Sequence, residues 1–128
     1  MIPKFRCWDE RLGLTEVVSI DFFRKKIKIN HWEYGDSNFF PLDEVVLMQS
    51  TGLKDMNGVD IFEGDIVFDR WANKYTPVFQ NGIYMAYNQK NLMQNDPSTQ
   101  FNIIWKDGCE VIGNIYENPE LLEQADEN

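Results

Sequence analysis

The stretch that decides the fold is Thr51–Phe68, with the sequence TGLKDMNGVDIFEGDIVF. It contains two turn signals between short apolar runs. Asn57-Gly58 is a strong hairpin signal, because both residues tolerate the positive φ angles of a type I′ turn. Glu63-Gly64-Asp65 frees the backbone to reverse a second time, and Ile66-Val67-Phe68 is typical of a buried strand. The stretch therefore predicts a hairpin, a second tight turn and a strand.

The residues before this stretch predict more antiparallel strands. The alternation in Phe5–Trp8 predicts a short first strand. Residues 14–22 and 26–32 predict an antiparallel pair, with every second residue from Leu14 to Phe22 on one face. Val45–Met48 is a continuous apolar run, and its length and β-branching favour a buried strand.

The residues after it predict one further hairpin and a helix. Phe101–Lys106 and Cys109–Tyr116 both alternate, and Asp107-Gly108 between them predicts a two-residue hairpin loop. Asn118-Pro119 predicts a helix start, since Asn can cap the first amides and Pro suits the first helical position. Residues 88–100 are rich in Asn, Gln, Ser and Pro, and predict a long loop.

Together these patterns predict an all-β fold. About eight short, mainly antiparallel strands and one short C-terminal helix indicate a small barrel or roll. A parallel sheet is disfavoured because strands and helices do not alternate. We expect an N-terminal β region at 1–46 that packs on a roll at 47–128, as one folding unit.

The charge is strongly acidic and unevenly spread. The net charge is −9 at neutral pH, which disfavours general binding to nucleic acids or anionic membranes. The exception is a basic group of four residues, Arg24, Lys25, Lys26 and Lys28. It is interpreted first as a solvated hairpin tip, and a nucleic-acid contact is the alternative.

Cysteine use and hydropathy indicate a soluble, cytoplasmic protein. Cys7 and Cys109 are far apart and have no metal-ligand spacing, so we expect two reduced, half-buried thiols. The N-terminus lacks the apolar stretch of a signal peptide. No window approaches the length of a membrane span.

Three blocks of sequence resemble the YopX family of phage and prophage proteins from Gram-positive bacteria. They are Lys4–Asp9, Leu47–Val67 and Val111–Leu122, in family order and near both ends of the chain. The chain departs from the family at Cys7, where a small residue is common, and at Ser50, where an aromatic is common. The resemblance implies a mostly β architecture with an SH3-like roll. It implies no catalytic residues, and no family pattern covers residues 72–100.

The candidates for metal binding and catalysis are better explained as structural. Hard oxygen ligands cluster near the central turns, at Asp55, Asn57, Asp60, Glu63 and Asp65. Their spacing does not fit an EF-hand, and Asp and Asn are common in turns for backbone reasons. The single histidine, His31, has no nucleophile signature beside it. We therefore predict no catalytic residue, no metal and no cofactor.

Aromatic residues are the candidate binding surface. Five of them lie in or beside the segment without family pattern: Trp71, Tyr75, Phe79, Tyr84 and Tyr87. Filling the core is one interpretation, and a recognition surface is the other. The leading hypothesis is a non-enzymatic phage or prophage accessory protein that binds a protein partner or itself. The alternative is a nucleic-acid-associated protein that uses the basic group and nearby aromatics, and a hydrolase ranks third.

Overall fold

The computed structural model describes residues 4–30, 39–88 and 99–123. The chain divides into two compact units, Met1–Ser50 and Thr51–Asn128. Each unit has its own sheet pairings and its own cluster of buried apolar side chains.

The first unit is an antiparallel sheet with the strand order β4-β3-β2-β1-β5. Its strands are β1 (Phe5–Asp9), β2 (Gly13–Asp21), β3 (Lys26–Asn30), β4 (Phe39–Pro41) and the part of β5 (Val46–Lys54) that ends at Ser50; a short 3-10 helix, Leu42–Glu44, precedes β5. Cys7, Ile27 and Ile29 form its buried centre. Val46 remains partly exposed, so β5 is covered mainly on one face rather than buried on both.

A β-bulge in β2 changes which residues face this core. The register with β3 shifts between Val17 and Ser19. Thr15 is buried before the bulge and Ile20 packs on the core after it, whereas Val18 is exposed. The predicted single face from Leu14 to Phe22 is therefore wrong, because the bulge moves the alternation by one residue.

The elements of the second unit are β6 (Asp60–Phe62), β7 (Asp65–Asp69), β8 (Lys74–Gln80), β9 (Ile83–Tyr87), β10 (Thr99–Gln100), α1 (Phe101–Lys106), β11 (Cys109–Asn114) and α2 (Pro119–Glu123). Five of these strands form an antiparallel sheet with the order β10-β9-β8-β7-β11. β6 is the neighbour of β5. The buried core of this unit consists of Ile61, Val67, Ala86, Phe101 and Cys109.

The segment Phe101–Lys106 is a helix, so the strand predicted there is wrong. Phe101 is fully buried and Ile104 packs on the same core cluster, a three-residue spacing that a helix places on one face. Trp105 Nε1 donates a hydrogen bond to the Lys54 carbonyl at 2.7 Å. Gly108 then ends the helix with φ +97, and its N–H reaches the Trp105 carbonyl at 3.0 Å.

The two Asn-Gly pairs form different turns. Asn81 and Gly82 have φ angles of 54° and 88° and connect β8 to β9 as a type I′ hairpin. At Asn57-Gly58 only the glycine has a positive φ, of 80°. Its N–H donates to the Asp55 carbonyl at 3.1 Å, as in a type I turn followed by a glycine bulge. The predicted hairpin is present there, but the predicted turn type is wrong.

The all-β, mainly antiparallel fold class is confirmed. Within the described residues the strand orders are those of open sheets and not of a closed barrel. A short helix follows β11 as predicted. Residues 31–32 of the third predicted strand and residues 89–98 of the predicted loop lie outside the described residues.

Candidate functional site

Three of the five candidate aromatics contribute to the core of the second unit. Tyr87 is buried, and its hydroxyl donates to Gln80 Oε1 at 2.6 Å. Tyr75 and Tyr84 are half-buried and pack against the core cluster. Burial raises the pKa of both of these phenols, so they are neutral at physiological pH. All three side chains therefore help to build the core, and only Tyr84 also takes part in the exposed feature described next.

The exposed end of the β8–β9 hairpin is the apolar feature that remains. Phe79 faces Tyr84 across the two strands, with ring centroids 5.0 Å apart and ring planes inclined at 59°. Phe79 is 51% exposed, and Ile83 is exposed on the opposite face of the hairpin. We call Phe79, Ile83 and Tyr84 the β8–β9 tip. It offers apolar contact area on both faces of a rigid two-residue turn.

Trp71 does not belong to this tip. It lies in the turn between β7 and β8, whereas Phe79 lies near the other end of β8. β8 has seven residues and spans about 20 Å at ~3.3 Å per residue. Trp71 is exposed, and the Arg70 guanidinium lies 4.8 Å from its ring centre. The structure therefore divides the five aromatics among three places, which are the core of the second unit, the β8–β9 tip and the turn between β7 and β8.

The basic group lies on the β2–β3 hairpin of the first unit. Arg24 and Lys25 are in the turn, while Lys26 and Lys28 are on β3. Arg24 pairs with Asp21 at 3.1 Å. Among the described residues, the three lysines form no ion pair. The structure thus brings the four cations together, as their closeness in sequence requires.

Aromatic side chains that the sequence analysis did not single out accompany these cations. Phe22 and Phe23, in the same turn, are 68% and 93% exposed. Phe39 on β4 is also exposed and lies opposite Lys28, whose Nζ is 5.7 Å from the ring centre. The signal for Phe22 and Phe23 was present in the sequence, since two apolar residues directly before a basic run in a turn have no core to enter.

The acidic residues of the central stretch hold turns and strands together. The Asp55 carboxylate accepts N–H bonds from Asn57, Val59 and Val111 at 2.8 to 2.9 Å. Burial alone would raise the pKa of Asp55, but these three hydrogen bonds together bring it below its ordinary value. Asp65 Oδ2 accepts from the Phe62 amide at 2.8 Å.

Asp60, another of the candidate metal ligands, also has a partner within the protein. Asp60 forms an ion pair with Lys54 at 3.2 Å. Among the described residues, no group of three or more His, Cys, Asp or Glu side chains is arranged to hold a metal ion. His31 lies outside the described residues.

Both cysteines are buried and free. Burial raises the pKa of Cys7, whose Sγ lies 3.2 Å from Thr15 Oγ1. Burial and the charges of Asp55 and Asp69 raise the pKa of Cys109 to about 11. Because the thiolate is the reactive form, neither cysteine has the chemistry of a nucleophile.

Comparison with known proteins identifies the family. The model of a family described as YopX protein matches residues 4–123 of the chain. The chain belongs to the YopX protein family. A solved crystal structure, that of protein EF1440 from Enterococcus faecalis, is 31% identical in sequence, with a TM-score of 0.63. The match covers 95% of this chain and 99% of the other.

The family resemblance seen in the sequence is thus confirmed over nearly the whole chain. No curated protein matches the chain. No helix in the described part of this YopX protein is long and apolar enough to cross a membrane.

Proposed function

We propose that this YopX protein is a non-enzymatic binding or assembly module that contacts a protein through the β8–β9 tip. The observation that carries the proposal is the exposed Phe79–Tyr84 pair. Tyr84 is anchored on the core, so it holds Phe79 in a defined position before any partner arrives. A preorganised aromatic anchor loses little conformational entropy on binding, which is why such residues dominate protein interfaces.

The second support is the shape of the tip. Asn81 and Gly82 form a tight type I′ turn, so the tip has few internal degrees of freedom. Phe79 and Ile83 offer apolar surface on opposite faces. Such a tip suits insertion between two surfaces of a protein partner, or of a second copy of this chain. Burying each side chain contributes about 1.5–3 kcal/mol.

The wider role that we propose is that of a phage or prophage accessory protein in the cytoplasm of a bacterial host, built on an SH3-like roll. The support is the family resemblance, together with the short antiparallel strands of the second unit. Two buried free thiols agree with a reducing compartment. Neighbouring genes for phage replication, recombination or lysis would support this role, and consistent association with unrelated housekeeping genes would contradict it.

The binding test compares the wild-type protein with the double variant Phe79→Ser, Ile83→Ser. Ile103→Ser is the matched control, since Ile103 is equally exposed but lies on α1. Circular dichroism and thermal unfolding first establish that all three proteins fold. Light scattering then gives the mass in solution against the 15.1 kDa of one chain, and tagged protein captures partners from a host lysate.

We expect the wild type and the control to form the same assembly, with itself or with one discrete partner. The double variant should lose at least about tenfold in affinity, which follows from the apolar area removed. A wild type that is monomeric and captures nothing would overturn the proposal. An assembly that the double variant forms equally well would also overturn it.

A further inference from the structure

The β2–β3 hairpin of the first unit carries a second surface, independent of the β8–β9 tip. We propose that this surface binds single-stranded nucleic acid, with its phosphates at the lysines and its bases against exposed phenylalanine rings. We call it the basic hairpin. Its cations are Arg24, Lys25, Lys26 and Lys28, and its rings are Phe22, Phe23 and Phe39.

Two of the cations and one of the rings share one face of the sheet. Ile27 and Ile29 point into the core of the first unit, so Lys26 and Lys28 point to the other face because side chains alternate along a strand. Phe39 lies opposite Lys28 on the neighbouring strand, and the lysine ammonium approaches its ring. A cation beside an exposed ring is the combination that positions a phosphate while a base stacks.

The local charge permits binding although the whole chain is acidic. Met1–Ser50 has seven Lys or Arg against eight Asp or Glu, whereas Thr51–Asn128 has five against thirteen. Asp21 lies opposite Lys26 on β2 and pairs with Arg24 at 3.1 Å. Among the described residues the three lysines form no ion pair, so their charges are available to a phosphate.

The rings indicate why the nucleic acid would be single-stranded. Phe22, Phe23 and Phe39 expose more than half of their surface, although an apolar ring gains nothing from water. An unpaired base can stack on such a ring, and each stack contributes measurably to affinity. In a duplex the bases already stack on one another, so only the phosphate contacts would remain.

The alternative occupant of this surface is an anionic membrane. Phe22 and Phe23 at the turn would suit insertion into lipid. Phe39, however, lies back along the sheet beside Lys28 rather than at the turn. The rings and lysines extend from the turn back along the sheet, which suits a strand of nucleic acid lying across them. A bilayer would contact only the turn.

The test measures fluorescence anisotropy of a labelled 20-nucleotide thymidine strand with the full-length protein between 25 and 200 mM salt. The variant Lys26→Glu, Lys28→Glu removes two phosphate contacts. The variant Lys74→Glu, Lys106→Glu changes the charge by the same amount in the second unit and serves as its control. Phe39→Ala and Phe23→Ala remove single rings, and circular dichroism establishes that every variant folds. A matched duplex and vesicles with 30% phosphatidylserine are the other two probes.

We expect salt-dependent binding of the single strand with a log–log slope between about −2 and −3, from three or four cations at about 0.7 each. The Lys26→Glu, Lys28→Glu variant should reduce the slope by about 1.4, whereas the control should leave it unchanged. Each ring variant should weaken binding by about tenfold at every salt concentration without a change in slope.

Each other outcome overturns the inference. These outcomes are no binding at 25 mM salt, equal binding by the Lys26→Glu, Lys28→Glu variant, tighter binding of the duplex, and binding of vesicles without binding of the strand. Failure at the basic hairpin leaves the β8–β9 tip untouched, because the two surfaces share no residue.

Discussion

Asp55 and Asp69 hold two hairpin turns with the same four hydrogen bonds. In each turn the aspartate N–H donates to the carbonyl four residues later, and its own carbonyl accepts from the residue three later. Its Oδ1 accepts the amides two and four residues later. Asp55, which resembles a metal ligand in the sequence, is thus one of the two residues that define these turns.

The first prediction concerns the residue with left-handed backbone in each turn. This residue is Gly58 in one turn and Ala72, with φ 66°, in the other. A left-handed conformation costs an L-residue about 1–2 kcal/mol, and glycine relieves this strain. Part of the relief is offset because glycine also increases the entropy of the unfolded chain. Ala72→Gly should therefore stabilise the protein by about 0.5–1 kcal/mol in urea unfolding.

The reverse change at the equivalent position is the control for this prediction. A Cβ added at Gly58 would meet no atom within 4 Å, so only backbone strain acts there. Gly58→Ala should destabilise the protein by about 1 kcal/mol. Two substitutions with the same sign of effect would contradict the equivalence of the turns.

The second prediction separates Asp55 from Asp69. Asp55 Oδ2 also accepts the Val111 amide at 2.9 Å, 56 residues later. Asp55→Asn replaces one of the two carboxylate oxygens by an NH₂ donor, so either the Val111 amide or the Asn57 and Val59 amides lose their acceptor, and the change should cost about 2 kcal/mol in urea unfolding. Asp69 Oδ2 has only a 3.5 Å contact with Asn73 Nδ2, so Asp69→Asn should cost less than half as much. Equal losses would show that Val111 contributes nothing.

The third prediction is the loss of stability in acid. Burial opposes ionisation of Asp55, but its three amide bonds more than offset this and lower its pKa in the folded state. A lowered pKa gives stability that is complete above the unfolded pKa of about 3.9 and is lost as pH falls through the folded pKa. The Tm difference between wild type and Asp55→Asn should therefore shrink below about pH 4. A constant difference down to pH 2 would contradict this assignment.

The fourth prediction distinguishes the two Asn-Gly turns. Asn81 has φ 54°, a conformation that Asn tolerates better than Ala. Asn81→Ala should therefore cost about 1 kcal/mol of unfolding free energy. Asn57 is exposed and has no positive φ, so Asn57→Ala should cost less than 0.5 kcal/mol. If Asn57→Ala costs more, the type I turn with a glycine bulge is the wrong description.

The fifth prediction concerns the thiols. With the pKa of Cys109 at about 11, about one molecule in a thousand has the thiolate at pH 8. Both cysteines should resist a disulfide reagent in the native protein and react at once in denaturant. Because the pKa of Cys109 is raised in the folded state, burial of its neutral thiol contributes stability below the ordinary thiol pKa of about 8.5. That stability is lost as pH rises toward 11. Rapid native labelling would refute the buried positions.

The hairpin at Asn57-Gly58 could be predicted from sequence because its signal is local. The Asn-Gly pair lies between Lys54 and Asp60, where β5 ends and β6 begins, and the two strands are neighbours in the sheet. The short helix after Asn118 is likewise a local signal. Such features need no information about distant residues.

Phe101–Lys106 could not be assigned from sequence because two periodicities fit it. Alternation predicts a strand, and the spacing of Phe101 and Ile104 fits a helix equally well. The helix is favoured because it buries Phe101 in the core and places Trp105 Nε1 at the Lys54 carbonyl. Both partners are remote in sequence, so no local pattern contains this information.

The candidate site residues also fall into those that could be located from sequence and those that required the tertiary structure. The basic group could be located from sequence because its members are adjacent. The aromatics could not be sorted, since whether Tyr87 is buried or Phe79 is exposed depends on strand pairing. Phe39 lies beside Lys28 only because β3 and β4 pair.

The sequence by itself determined the antiparallel all-β class, the positions of most turns and the family. These follow from glycine, asparagine and aspartate geometry and from short-range alternation. Only the tertiary structure decided the turn type at Asn57-Gly58, the helix at Phe101 and the aromatic rings that remain exposed. Each of these depends on which distant groups complete a core or a hydrogen bond, as Val111 does for Asp55.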